Sequence, residues 1–190
     1  MEAEIDPWLI SVQDTIREDF GWDITGDKNS LELLLTRFEN IEIKAWKNPN
    51  REKALRVLSS LVTASKQKGF AVVGATATSE EIMIAISEGR KLIFADGSIG
   101  VLNELPDEIN EDAWDSILFI SSDCDGIPEI MNQKVSQTTV LLHAHADNIS
   151  SWNQILDYWI NNQTTPHIVV THQLSNIVPY TINPGGFTDG

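Results

Sequence analysis

One cysteine, Cys124, stands in 190 residues, so an internal disulfide is excluded and thiol usage fits a reducing compartment. Positive charge is also scarce. Thirteen Lys and Arg face 28 Asp and Glu, a formal charge of −15. Nucleic-acid binders rely on basic patches, so that balance argues against a DNA or RNA partner. It does not argue against nucleotides, because Mg2+ and backbone amides can neutralise a triphosphate locally. Long apolar runs are missing, which excludes a membrane span, and no segment has the layout of a signal peptide. A cytoplasmic protein without membrane or nucleic-acid partners is the expectation; homodimerisation is left open. With 11 Gly and 7 Pro the chain is too poor in both to read as disordered, and it contains no repeat.

What is present falls into two parts. Residues 1–68 read as a helical N-terminal region. Ile5, Trp8, Leu9, Val12 and Ile16 recur at helical spacing and are expected in the core. Leu31, Leu34, Leu35 and Phe38 mark a second helix, with Asp27 or Asn29 as its cap, and Ala54 to Val62 a third. From Gly69 short apolar runs alternate with helical stretches. Strands are expected at 70–73, 91–95, 116–121, 140–143 and 167–171, with helices at 80–88 and 150–160. Alternation of this kind predicts an α/β unit over 69–190: a mostly parallel, Rossmann-like sheet flanked by helices. Ligands in such sheets collect at the carboxyl ends of the strands.

Those ends carry the chemistry. The first strand runs into Gly74-Ala75-Thr76-Ala77-Thr78-Ser79, a small-residue turn opening a helix. It can wrap phosphate with backbone N–H groups, or it can be an ordinary turn with a Thr or Ser cap; it lacks the Lys of a P-loop. The second strand ends in Asp96-Gly97. The third ends in Ser122-Asp123-Cys124-Asp125-Gly126, where residues two apart point the same way and both carboxylates can face one divalent cation. Cys124 between them is expected to pack. The fourth ends in His143-Ala144-His145-Ala146-Asp147-Asn148. Its histidines and Asp147 suit proton handling, contact with phosphate, or a Zn2+ site, while Asp147 and Ser150 are candidate caps of the following helix. Thr171 and Gln173 follow the fifth strand with donors and acceptors for a heteroaromatic edge.

Taken in order, Ala95-Asp96-Gly97, Asp123-x-Asp125-Gly126, His143-Ala-His-Ala-Asp-Asn148 and Gly185-Gly186-Phe187-Thr188-Asp189-Gly190 resemble the archaeal 6-hydroxymethyl-7,8-dihydropterin pyrophosphokinase family, which is related to thiamine pyrophosphokinase. The resemblance implies Mg2+-assisted transfer of a diphosphoryl group from ATP to the hydroxymethyl oxygen of a reduced pterin, releasing AMP. It implies that Asp96, Asp123 and Asp125 form the Mg2+ and catalytic site, with His145 beside them. It further implies binding roles for Gly97, His143, Asp147, Asn148, Gly186, Phe187, Thr188 and Asp189. In such a site backbone amides around Gly74, Thr76, Thr78 and Ser79 would hold phosphates, and polar edges at Thr171, Gln173 and Asn183 would read the pterin. Family members continue past the final Asp-Gly with an Asp-Arg pair, so a truncated C-terminus is expected. Arg90 and Lys91 are then the basic residues nearest the site in sequence. Thr76-Ala77 replaces the family's Gly-Pro, and Ala146 a Gly. These departures leave a non-catalytic nucleotide- or pterin-binding protein of the same fold as the alternative.

Overall fold

Short β-branched runs that end in small or polar residues build a six-stranded sheet. The structure is a computed structural model and describes residues 7–21, 23–43, 46, 56, 59–60, 62–63, 68–124, 126–174, 178 and 181–182. Asp125, Asn183, Gly186, Phe187, Thr188 and Asp189 lie outside the described residues, as does most of the helix expected over Ala54 to Val62.

Two helices open the chain, α1 (Pro7–Phe20) and α2 (Ile24–Asn40). The α/β part then follows as β1 (Phe70–Val73), α3 (Ser79–Ser87), β2 (Lys91–Ala95), a 3-10 helix (Asp96–Glu104) and α4 (Asp107–Ser116). Next come β3 (Ile117–Ser122), the one-turn α5 (Ile127–Ile130), a second 3-10 turn (Gln133–Gln137) and β4 (Thr139–Ala144). The series closes with α6 (Ile149–Asn161), β5 (His167–His172) and the two-residue β6 (Thr181–Ile182). All neighbouring strands pair in parallel, in the sequential order β1-β2-β3-β4-β5-β6. This is the Rossmann-like α/β architecture that the alternating pattern predicts, extended by α4 and β6, whose lengths the apolar pattern did not mark.

Sequential parallel strands joined by right-handed crossovers place their helices on one face. The core follows that rule. Val73, Phe94, Ile120, Val140, Leu142, Ile168 and Val170 share one cluster with Ile82 and Ala85 of α3 and with Trp152, Ile155, Leu156 and Trp159 of α6. Leu31, Leu34 and Phe38 of α2 belong to the same cluster, so the helical region and the sheet share a core. Alternation turns Val72, Ile93, Phe119 and Leu141 to the other face, and none of these belongs to it. Among the described residues the buried indoles are all satisfied: Trp46 donates to the Pro166 carbonyl, Trp152 to Ser30 Oγ and Trp159 to the Ile130 carbonyl.

The helical region departs from its apolar pattern. Trp8 is 66% exposed and Ile16 42%, whereas Gln13 and Arg17 are buried. The buried Gln13 and Arg17 of α1 meet polar groups, the carboxylate of Asp27 and the carbonyl of Gln173. The cap of α2 is Asp23, which accepts from the Thr25 N–H at 2.8 Å. Asp27 sits a turn further on, buried, and neither it nor Asn29 caps the helix.

Candidate functional site

Asp96 leaves β2 with a φ of +44°, in the left-handed region that non-glycine residues rarely adopt. Its carboxylate accepts from Ser122 Oγ at the end of β3 and from the Gly126 N–H. Cys124 is also left-handed, with a φ of +78°, and its N–H donates to Ser122 Oγ at 2.9 Å while its side chain packs in the core. These bonds fold the segment after β3 back over the segment after β2. The approach demands glycine: a Cβ on Gly126 would overlap the Gly97 backbone and lie 2.9 Å from Asp96 Oδ2. Burial holds the Asp96 carboxyl above the usual carboxylate range, and the Asp123 charge adds to that, against the hydrogen bonds from Ser122 and from the Gly126 and Gly97 amides.

Asp123 also faces β4. Its Oδ2 lies 3.8 Å from His145 Nε2, an ion-pair distance rather than a hydrogen bond, and His145 Nδ1 pairs with Asp147 Oδ1. His145 is thus held between two carboxylates. The Asp123 carboxylate raises its pKa most, followed by the charge of Asp147; burial opposes both, and the more distant Asp27 adds a smaller upward push. Asp147 is spent on His145, and Asn148 occupies the N-cap position of α6 without a side-chain cap bond, so neither Asp147 nor Ser150 caps that helix.

Asn148 is 2% exposed and acts as a tie. Its Nδ2 donates to the Asp123 and His143 carbonyls, each at 2.7 Å, and its Oδ1 accepts from the His145 N–H at 3.2 Å and Ser30 Oγ at 3.4 Å. His143 lies deeper. Its Nδ1 bonds Thr171 Oγ1 at 2.9 Å, its ring centroid is 5.8 Å from that of His145, and burial lowers its pKa to about 4, helped by His145 and His172. Burial likewise lowers His172 to about 4; its Nε2 meets Thr181 Oγ1 at 3.0 Å and its Nδ1 accepts from the Leu174 N–H.

A second network joins the N-terminal helices to this edge of the sheet. Asp27 Oδ1 accepts from the Ala146 N–H at 2.9 Å, and its Oδ2 accepts from Arg17 Nη2 at 3.1 Å and Gln173 Nε2 at 2.7 Å. Arg17 Nη2 and Gln13 Nε2 both donate to the Gln173 carbonyl, at 2.7 and 2.6 Å. Gly26 permits the contact, since a Cβ there would lie 2.7 Å from the Ala146 Cβ. Arg17 is therefore, among the described residues, a cation that the fold brings to the carboxyl edge from a position some 80 residues before Asp96 in the chain. Arg90 pairs with Glu88, and Lys91 Nζ donates to the Asp115 carbonyl, both at the amino end of β2 and away from the carboxyl-end cluster.

The structure thus brings together Asp96, Gly97, Asp123, His143, His145, Asp147, Asn148 and Thr171 around the ends of β2 to β5, with Gln173 tied to Asp27. It does not bond the turn after β1 to them: among the described residues, no hydrogen bond or ion pair joins Gly74, Thr76, Thr78 or Ser79 to that cluster. Instead Thr78 forms a full capping box, its hydroxyl accepting from the Glu81 N–H and its own N–H donating to Glu81 Oε2 at 2.9 Å. Among the described residues no three His, Cys, Asp or Glu side chains are grouped to hold a metal ion. The partners that sequence reasoning missed are Arg17, Gly26 and Ser122. Ser122 had a signal, lying next to Asp123 at a strand end; Arg17 and Gly26 had none, because their partners are distant in sequence. Compared with known proteins, the chain matches no family model and no curated protein.

Proposed function

We propose that the chain is an ATP-dependent, Mg2+-assisted diphosphokinase acting on the hydroxymethyl group of a reduced pterin. The observation that carries this reading is the juxtaposition of Asp96, Asp123 and His145 at the carboxyl ends of three adjacent parallel strands. Asp96 and Asp123 are hard oxygen donors near enough that the Asp123 charge helps raise the pKa of Asp96. Two carboxylates with phosphate oxygens and water are an ordinary donor set for Mg2+. When bound there, Mg2+ would offset charge on the phosphate oxygens.

The residues have separable tasks in this reading. Asp123 and Asp147 raise the pKa of His145, which favours a positive charge beside the transferring diphosphoryl group. The alcohol oxygen attacks the β-phosphorus of ATP, the bond from that phosphorus to the α,β-bridging oxygen breaks, and AMP leaves. The hydroxyl proton passes to a carboxylate of the same cluster, Asp96 or Asp123. Asn148 positions Asp123 and His145 rather than touching substrate. A cytoplasmic location, where ATP is plentiful, belongs to the same proposal.

A second reading, ligand binding without turnover, is favoured by one observation. The Glu81 carboxylate occupies the N-terminus of α3, where the turn after β1 would otherwise hold phosphate. Incubation with ATP, Mg2+ and reduced hydroxymethylpterin decides between the two. AMP and pterin diphosphate in equal amounts support transfer; binding by calorimetry with no AMP supports the second reading; ADP as product overturns both.

A further inference from the structure

β1 is an edge strand. Among the described residues it pairs with β2 alone, and the Lys91 N–H bonds the Gly69 carbonyl, so alternation turns the N–H and C=O of Ala71 toward β2 and those of Phe70 and Val72 outward. Edge strands usually carry Lys, Pro or a bulge that blocks pairing with another chain. This one reads Phe-Ala-Val-Val, carries none of them, and exposes 75% of Val72. Beside it runs a groove of about 330 Å3 between the strand and α3, lined by Ala71, Val73, Ala77, Ile82, Ala85 and Glu81.

We propose that this edge is a self-association surface, where β1 of a second copy of the chain adds antiparallel about a two-fold axis at Ala71. In that register Phe70 exchanges both backbone hydrogen bonds with the partner's Val72, and Val72 with the partner's Phe70. The exposed Val72 then packs against the partner's Phe70 on the same sheet face, an aromatic–β-branched cross-strand pair. The two Ala71 residues meet at the axis, where their small side chains let the groove-bearing faces close.

Charge selects a second copy as the occupant. The amino end of β1 is flanked by exposed Lys68 and Arg90 and by Lys91, against Glu88; the first turn of α3, at its carboxyl end, carries Glu80 and Glu81. In a chain of net charge −15 this is a local basic end and a local acidic end on one strand. Antiparallel pairing sets each basic end against the partner's acidic end, and parallel pairing would set like against like. The short strand implies a dimer of micromolar rather than nanomolar affinity.

Sedimentation velocity on the whole chain over a micromolar concentration series tests this. Wild type should shift from monomer to dimer, and added salt should weaken the shift. Val72→Pro, which removes an outward N–H at a position where edges tolerate proline, and Val72→Lys should each weaken the dimer at least about tenfold with unchanged far-ultraviolet circular dichroism. Lys68→Glu should weaken it too, and Lys68→Glu with Glu80→Lys should restore it. A wild type that stays monomeric, a dimer that survives both Val72 variants, or the absence of rescue in the charge swap would overturn the proposal.

Discussion

Gly126 lies backbone to backbone on Gly97, with the Gly126 Cα 3.2 Å from where a Gly97 Cβ would stand. That contact lets the Asp96 carboxylate reach the Gly126 N–H, and so couples the ends of β2 and β3. Gly126→Ala would drive a methyl into the Gly97 backbone, which cannot rotate away. Its expected cost is about 3 kcal/mol by urea denaturation, with Gly97→Ala costing about 1 kcal/mol because a few tenths of an ångström relieve it. Equal effects of the two would show that the contact is not the constraint.

Arg17 and Asp27 form an ion pair with both side chains 9% exposed. Arg17→Met should destabilise by about 3–5 kcal/mol, since it leaves the Asp27 carboxylate buried without its cation. Asp27→Asn keeps an oxygen for the Ala146 N–H and should cost less. Because Asp27 holds the loop that carries His145, both variants should also disturb the His145 ring signals by NMR, far from the substitution in sequence.

His143 and His172 are neutral in the fold, each with a pKa of about 4 against an ordinary 6.5. Above pH 6.5 folded and unfolded chains bind no proton at these rings, and their contribution is complete. Between pH 6.5 and 4 the unfolded chain takes up protons that the folded chain refuses, so stability falls with pH. A loss of roughly 3 kcal/mol per histidine is expected across that window, with the midpoint of urea unfolding moving down accordingly. His172→Gln, which keeps polar atoms without the titration, should flatten part of the slope; an unchanged slope in both His143→Gln and His172→Gln would refute the assignment.

Asp123→Asn should lower the pKa of His145, read from its imidazole resonances, because the largest influence raising it is the Asp123 carboxylate. In the proposed reaction the same variant should reduce turnover at least about a hundredfold, since charge stabilisation is lost together with an oxygen ligand. Asn148→Ala should reduce it through position alone, and a pH–rate profile that keeps its shape would distinguish that from loss of a reacting group.

Glu81→Ala should lower the urea midpoint slightly by breaking the capping box at Thr78. If the turn after β1 binds phosphate, the same substitution should strengthen nucleotide binding by calorimetry, because it removes a carboxylate from the helix end. Unchanged affinity would place the phosphates elsewhere.

Local pattern alone determined the first five strands, the α6 stripe of Trp152, Ile155, Leu156 and Trp159, and the delivery of Asp96, Asp123 and His145 to strand ends. Each follows from periodicity within ten or so residues, and burial enforces periodicity. Only the tertiary structure decided the partners of those residues. Whether Asp27 caps a helix or neutralises Arg17, and how Asn148 ties the end of β3 to β4, turns on contacts across about 10 to 146 positions. So does the burial of Gln13 and Arg17 in α1, where the apolar Trp8 is exposed. Polar residues leave no periodic mark when a distant carboxylate or carbonyl satisfies them, because the free energy lies in the pair and the pair exists only after the chain has folded.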